Sequence, residues 1–161
     1  MDLKSGYPFW AVKNGLLKTF PQLTRDHQSE IVVIGGGITG ALIADELSRH
    51  GHQVAVLERR DIGWGSTSAS TALLQYEIDT HMTELARRYG EDNAVLAYQA
   101  CADAIGELEA LAAGMGDVDF ERQQSLYYAS NEEDVLPLKE EFALRQKHGF
   151  LATWLESDDV H

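Results

Sequence analysis

The sequence predicts an α/β fold: a parallel βαβ unit followed by a mixed helical and extended portion. Three observations carry that expectation. Two short apolar runs, Ile31–Ile34 and Val54–Leu57, show no polar alternation, as suits strands of a parallel sheet buried on both faces. Between them, Gly35-Gly36-Gly37 ends the first run abruptly. Residues 38–50 are then rich in helix formers, with Gly51 where a helix C-terminus favours a left-handed residue. Finally, a chain of 161 residues that is 44% hydrophobic and 24% charged is large and apolar enough to bury a core, and its length suggests one compact unit.

In chain order, residues 1–30 carry Gly6, Pro8, Gly15 and Pro21 among scattered aromatics without a two-residue or 3.6-residue period, and read as an N-terminal arm. Residues 31–79 hold the βαβ unit and a glycine- and serine-rich loop over 61–71. Residues 80–161 read as a helical and antiparallel-strand portion. Within it, Ala94, Ala97, Cys101, Ile105, Leu108 and Ala112 recur at three- and four-residue spacings, placing them on one stripe of a long helix that ends near Gly114 and Gly116. Cys101 on that stripe reads as a buried, inert thiol. Val118–Glu121, Ser125–Ala129 and Phe150–Leu155 read as short strands. Leu138 to Lys147 reads as another helix, with Pro137 suited to its first turn.

Charge and composition exclude several functions. The formal net charge is −13, and protonating all six His would bring it only to −7, so the counterion displacement that drives nucleic-acid binding is ruled out. An acidic surface can attract cationic ligands such as amines, but it is chiefly a solubility device. No run approaches the roughly 18 apolar residues of a membrane span, and MDLKSGYPFW lacks the apolar stretch of a signal peptide. The single Cys101 cannot form an intramolecular disulfide, which makes a cytoplasmic location the expectation.

The motif that carries chemistry is Gly35-x-Gly37-x-x-Gly40. It follows a buried-strand pattern and opens a helix, small Ala44 lies one turn further on, and Glu58 ends the next strand 23 residues past Gly35. Gly35 permits the sharp turn, Gly37 lets the backbone meet a pyrophosphate, and Gly40 lets helix and strand pack closely. Free N–H groups around Ile38 and Thr39, with the positive end of the helix dipole, would hold the phosphate charge. Glu58 would accept hydrogen bonds from the ribose hydroxyls, which disfavours a 2′-phosphate. This Rossmann-like fingerprint suits the ADP half of either FAD or NAD.

The next loop narrows the choice. IVVIGGGITGALIADEL, the strand ending at Glu58, and ERRDIGWGSTSASTALL over residues 58–74 resemble the D-amino-acid oxidase and glycine oxidase superfamily of FAD-dependent oxidoreductases. DFERQQSLYYAS over residues 119–130 and the helix before Gly149 are similar to the opening of that family's α+β substrate-binding domain. The resemblance implies that Arg59 lies near the adenine ribose and that Ser66, Thr67 and Thr71 line the pyrophosphate, ribityl chain and flavin edge. Hydroxyls suit this work because they donate to phosphate oxygens without adding charge. Glycerol-3-phosphate dehydrogenases of the superfamily carry an Arg and a Lys in the corresponding stretch, where this chain has Ala69 and Ala72. Sarcosine oxidases have basic side chains where Ala72 and Gln75 stand. Because residues 65–74 contain neither His nor Cys, the resemblance implies noncovalent FAD. Trp10, Trp64 and above all Tyr76 are candidates to face the flavin. His81, Glu84, Glu77 and Asp79 match no metal-ligand spacing, so no metal is expected.

The family's flavin domain is completed by later strands and a second glycine-rich segment, which these residues do not contain, so the fold is expected to be incomplete. The expected function is oxidation of an amine or amino acid C–N bond by hydride transfer to flavin, with the remaining part of its own enzyme as a partner. No residue reads as a general base, and this portion alone is expected to be inactive. The alternatives are a noncatalytic nucleotide-binding remnant, half of a split enzyme, or a glycerol-3-phosphate-dehydrogenase-like alcohol oxidoreductase.

Overall fold

The computed structural model describes residues 6–15 and 18–159. Of the N-terminal arm, residues 1–5 and 16–17 lie outside the described residues, as do the last two residues of the chain. The chain packs as two compact units, Met1–Leu73 and Leu74–His161, rather than the single one that its length suggests.

The first unit contains α1 (Phe9–Asn14), β1 (Ile31–Ile34), α2 (Ile38–Arg49) and β2 (Val54–Leu57). The two strands pair in parallel, Ile31 with Val54 through Ile34 with Leu57, so the βαβ reading holds residue for residue. Gly51 adopts φ +86°, and its N–H donates to the Ser48 carbonyl at 3.0 Å, closing α2 as a glycine at that position can. Burial departs from expectation. Val33 faces α2, while Val32 is 51% and Ile34 87% exposed, because the described residues offer this two-stranded sheet a covering helix on only one face.

The second unit is helical: α3 (Met82–Tyr89), α4 (Glu91–Ala113), α5 (Glu132–Lys147) and a single 3₁₀ turn, Ser157–Asp159. Gly90, at φ +90°, separates α3 from α4. The expected stripe on α4 faces inward, with Ala94 buried and Ala97, Cys101, Ile105, Leu108 and Ala112 half-buried. Cys101 is therefore less enclosed than the sequence suggests. The core consists of Met82, Ala94, Tyr98 and Phe150, with Tyr76, Leu85, Ala86, Val95 and Leu144 packed against it. Tyr98 is fully buried and donates its hydroxyl to the Thr80 carbonyl at 2.8 Å; burial pushes its pKa up to about 12, so it remains a donor.

Two expectations are corrected. Helix α5 begins at Glu132, placing Pro137 inside it instead of in its first turn. The Asp134 carboxylate accepts the Asn131 N–H at 3.1 Å, and Glu132, Glu133 and Asp134 complement the helix dipole, which fixes the earlier start. Residues 118–121, 125–129 and 150–155 join no ladder, since a strand needs a paired edge and this unit offers none among its described residues. Phe150 is buried in the helical core instead, its N–H donating to the Arg145 carbonyl at 3.0 Å.

One buried ionic cluster ties the helices together. The Glu141 carboxylate accepts the Met82 and Thr83 N–H groups at 3.0 and 2.9 Å, capping α3 from α5. Arg145 donates to Glu141 at 2.9 Å and Glu77 at 3.1 Å, and its guanidinium lies over the rings of Tyr98 and Tyr76. Burial alone would raise the Glu141 pKa, but the N–H groups of Thr83 and Met82 and the Arg145 charge outweigh it and hold the carboxyl below its usual value. A depressed folded-state pKa gives stability that is complete above the unfolded value and is lost as pH falls through the folded one. Denaturant midpoints should therefore decline below about pH 4, and Glu141→Gln, which leaves Arg145 buried without its partner charge, should cost about 3 kcal/mol at neutral pH and flatten that decline. Urea titrations of both proteins from pH 3 to 7 measure this; parallel curves would show that Glu141 is not the titrating anchor.

Candidate dinucleotide-binding site

The site is built where β1 ends. Gly35 takes φ +107°, open to glycine at little cost, and its N–H donates to the Leu57 carbonyl at 2.8 Å, extending the ladder by one bond. A Cβ on Gly40 would overlap the Gly35 carbonyl oxygen, so glycine there is what lets α2 begin directly against the strand end. Gly36, which the fingerprint leaves unspecified, is constrained more mildly, by side chains instead of backbone. It is buried, and a Cβ on it would overlap Ile62 Cδ1 and lie 3.2 Å from Glu58 Cβ.

Glu58 stands opposite this turn at the end of β2. Its Oε2 accepts the Gly36 N–H at 2.8 Å and its Oε1 the Arg60 N–H at 2.9 Å. These bonds, the Gly36 one foremost, hold its pKa below the usual carboxylate value, so it is an anion at neutral pH. Each oxygen retains a further lone-pair direction for a ligand hydroxyl. Arg59 follows and is exposed.

The Ser/Thr loop folds back onto the turn. Gly63 N–H donates to the Gly36 carbonyl at 2.8 Å, and Thr67 Oγ1 accepts the Ile38 N–H at 3.1 Å, supplying a cap that Gly37 cannot. That places Thr67 at the start of α2, where Thr39 and Gly40 present first-turn N–H groups that have no carbonyl acceptor within the helix. Glycine at 37 permits this approach, since a Cβ there would sit 3.2 Å from Thr67 Oγ1. Ser66 and Thr71 are exposed on the loop. Buried Ser68 donates to the Gly65 carbonyl at 3.0 Å, an internal brace that the sequence does not announce. Ala72 sits at φ +58°, a left-handed conformation that costs a non-glycine residue about 1 kcal/mol.

The structure thus brings Gly35, Gly37, Ile38, Gly40, Glu58 and Thr67 to one strand–turn–helix junction. The residues fit an ADP moiety, with a cradle lacking Cβ atoms, a helix start for the phosphates and an anionic acceptor for hydroxyls. The other candidates have different surroundings. Tyr76 is stacked on Phe150, with ring centroids 5.9 Å apart, in the core of the second unit. Trp10 donates its indole N–H to the Ser70 carbonyl. His81 is bonded to Tyr127, Glu84 pairs with Arg87 and Arg88, and Glu77 with Arg145.

Comparison with known proteins follows the same line. Over 142 residues, 88% of this chain, it is 30% identical to a Bacillus subtilis protein named as a Rieske 2Fe-2S iron-sulfur protein, YhfW; the match takes in 28% of that protein. Over 50 residues, 31% of this chain, it is 46% identical to the aerobic glycerol-3-phosphate dehydrogenases of Staphylococcus saprophyticus and Staphylococcus aureus, taking in 9% of each. The chain therefore spans about a quarter of the first relative and less than a tenth of the others. No solved structure matches it significantly. The family model described as DAO, FAD dependent oxidoreductase, matches residues 30–161, the βαβ unit and everything after it, and by that match the chain belongs to the FAD-dependent oxidoreductase family.

Proposed function

We propose that these residues supply the ADP-binding part of a flavoenzyme that oxidises the C–N bond of an amine or amino acid and holds FAD noncovalently. The observation that carries the reading is the charged Glu58 carboxylate fixed by Gly36 and Arg60 N–H groups across from a glycine cradle. The first turn of α2 holds the pyrophosphate, Glu58 accepts from the adenosine ribose hydroxyls beside Arg59, and Thr67 keeps the helix start in place while offering its hydroxyl to the phosphates. Ser66 and Thr71 serve the ribityl chain and the flavin edge. When bound, FAD supplies the hydride acceptor, and the protein contributes orientation and electrostatics. The remaining part of the enzyme is the proposed partner that screens the flavin from water and holds the substrate.

One feature favours an amine over a phosphorylated alcohol: Ala69 and Ala72 leave the loop without the cations that would bind a substrate phosphate. The identity to glycerol-3-phosphate dehydrogenases supports the alcohol as the second reading. An iron–sulfur centre, suggested by the name of the first relative, would have to lie outside these residues, because a Rieske cluster takes two Cys and two His while the chain has one Cys.

The Glu58→Arg variant should bind FAD at least tenfold more weakly, since a charge-assisted hydrogen bond is worth about 1.5–3 kcal/mol. Glu107→Arg on the exposed face of α4 should match wild type. Equal dissociation constants for the two variants would remove Glu58 from the site. Acid denaturation of the full-length protein followed by filtration should pass all yellow colour through the membrane; colour retained with the polypeptide would refute noncovalent attachment. The full-length enzyme should reduce its flavin with members of a panel of amines and amino acids and not with glycerol 3-phosphate, and the opposite pattern would establish the second reading.

A further inference from the structure

We propose that Trp10, in the N-terminal arm, is a positioning residue for the flavin-facing end of the cofactor loop, acting through its hydrogen bond to Ser70. The proposal deepens the functional reading above and rests on Ser66–Thr71 being that loop. Trp10 lies in α1 and donates its indole N–H to the Ser70 carbonyl at 2.9 Å, across 60 residues of sequence. Its ring is set by Phe9, edge-on at 4.9 Å, and by Lys13, whose ammonium lies 5.6 Å from the ring centroid. Tyr7, Pro8 and Phe9 also line a small cleft whose other side is Ser68, Ala69 and Ser70, so the arm lies along the loop over several residues.

What it holds is the end of the loop that lies past the residues tied to the glycine turn. Gly63 and Thr67 bond to Gly36 and Ile38, whereas Ala69 and Ser70 are held within the loop, their N–H groups donating to the Ser66 and Thr67 carbonyls at 3.1 and 3.5 Å. Ser70 Oγ accepts the Ala72 N–H at 3.0 Å, closing a tight turn around Thr71, and Ala72 takes its left-handed φ of +58° there. A turn of that kind persists only where its surroundings fix it. Trp10 fixes the Ser70 backbone, and the Ser70 hydroxyl fixes Ala72. Thr71, whose hydroxyl is assigned to the flavin edge, is presented between them. The ADP half of the cofactor is held elsewhere, at Gly35–Gly40 and Glu58, and does not depend on this strap.

That separation makes the test specific. On full-length protein stripped of cofactor, Trp10→Phe keeps the ring and loses the donor. It should weaken FAD about three- to tenfold, as expected for one net hydrogen bond, leave the ADP dissociation constant unchanged and lower the melting temperature by no more than about 4 °C. Hydrogen exchange should quicken in the peptide covering residues 69–74 and not in that covering 31–49. Val12→Ala, on the exposed side of α1, removes no donor and should match wild type in both ligands. Ser70→Ala should weaken FAD as Trp10→Phe does, and the double variant should lose less than the product of the two. Equal loss of FAD and ADP affinity would make Trp10 a general stabilising residue and overturn the proposal. So would unchanged FAD affinity in Trp10→Phe where Thr71→Ala weakens it. If wild type bound FAD no better than ADP and Thr71→Ala were without effect, the assignment of the loop to the flavin would fall, and the proposal with it.

Discussion

Helix α2 starts so close to the end of β1 that Gly40 can carry only a hydrogen, and the geometry of the first unit follows from that contact. A Cβ would meet the Gly35 carbonyl oxygen, so any larger residue would push the helix away from the strand. With the helix in place, its unpaired N–H groups project past the turn, Gly36 is enclosed between Glu58 and Ile62, and the end of β2 is brought level with the end of β1. A helix start of this kind favours an anion through its backbone alone, with no Lys or Arg side chain needed.

The polar groups around the junction are engaged before any ligand arrives. Glu58 holds two backbone N–H groups and Thr67 holds a third, so their positions are settled within the protein and ordering them adds little to the cost of binding. The same bonds set the charge of Glu58. Backbone donors stabilise the carboxylate form, and an anion at this position accepts from vicinal hydroxyls and repels a phosphate. On the proposed reading, one residue would both hold the ribose and select between cofactors.

In the second unit the organising interaction is ionic. Glu141 and Arg145, one turn apart on α5, are both nearly enclosed, yet each is satisfied: the carboxylate by two N–H groups of α3 and the guanidinium, the guanidinium by two carboxylates and two aromatic faces. A pair of this kind adds little net stability over an apolar replacement, but losing one member is costly because the other stays buried. It fixes the register of α5 against the start of α3 more sharply than Met82, Tyr98 and Phe150 could alone, as apolar contacts tolerate sliding.

The sequence by itself determined the βαβ unit, its boundaries and the glycine-dependent turn, because each rests on local physics. Apolar runs without alternation, a residue free to take φ +107° and an acidic residue closing the second strand are readable one residue at a time. It also determined the inward stripe of α4 from spacing alone. Tertiary structure decided what depends on distant partners. The N-terminal cap of α3 comes from Glu141, 59 residues away, and the brace on Ser70 from Trp10, 60 residues away, with no local sequence signal in either case. The segments around 118–129 and 150–155 have strand-like composition and no ladder, since composition describes a side chain's preference and pairing requires an available edge. Likewise Tyr76, placed beside the cofactor loop by sequence, is held in the second unit's core by Phe150 and Arg145, because which surface an aromatic covers is settled by packing, not by its neighbours in the chain.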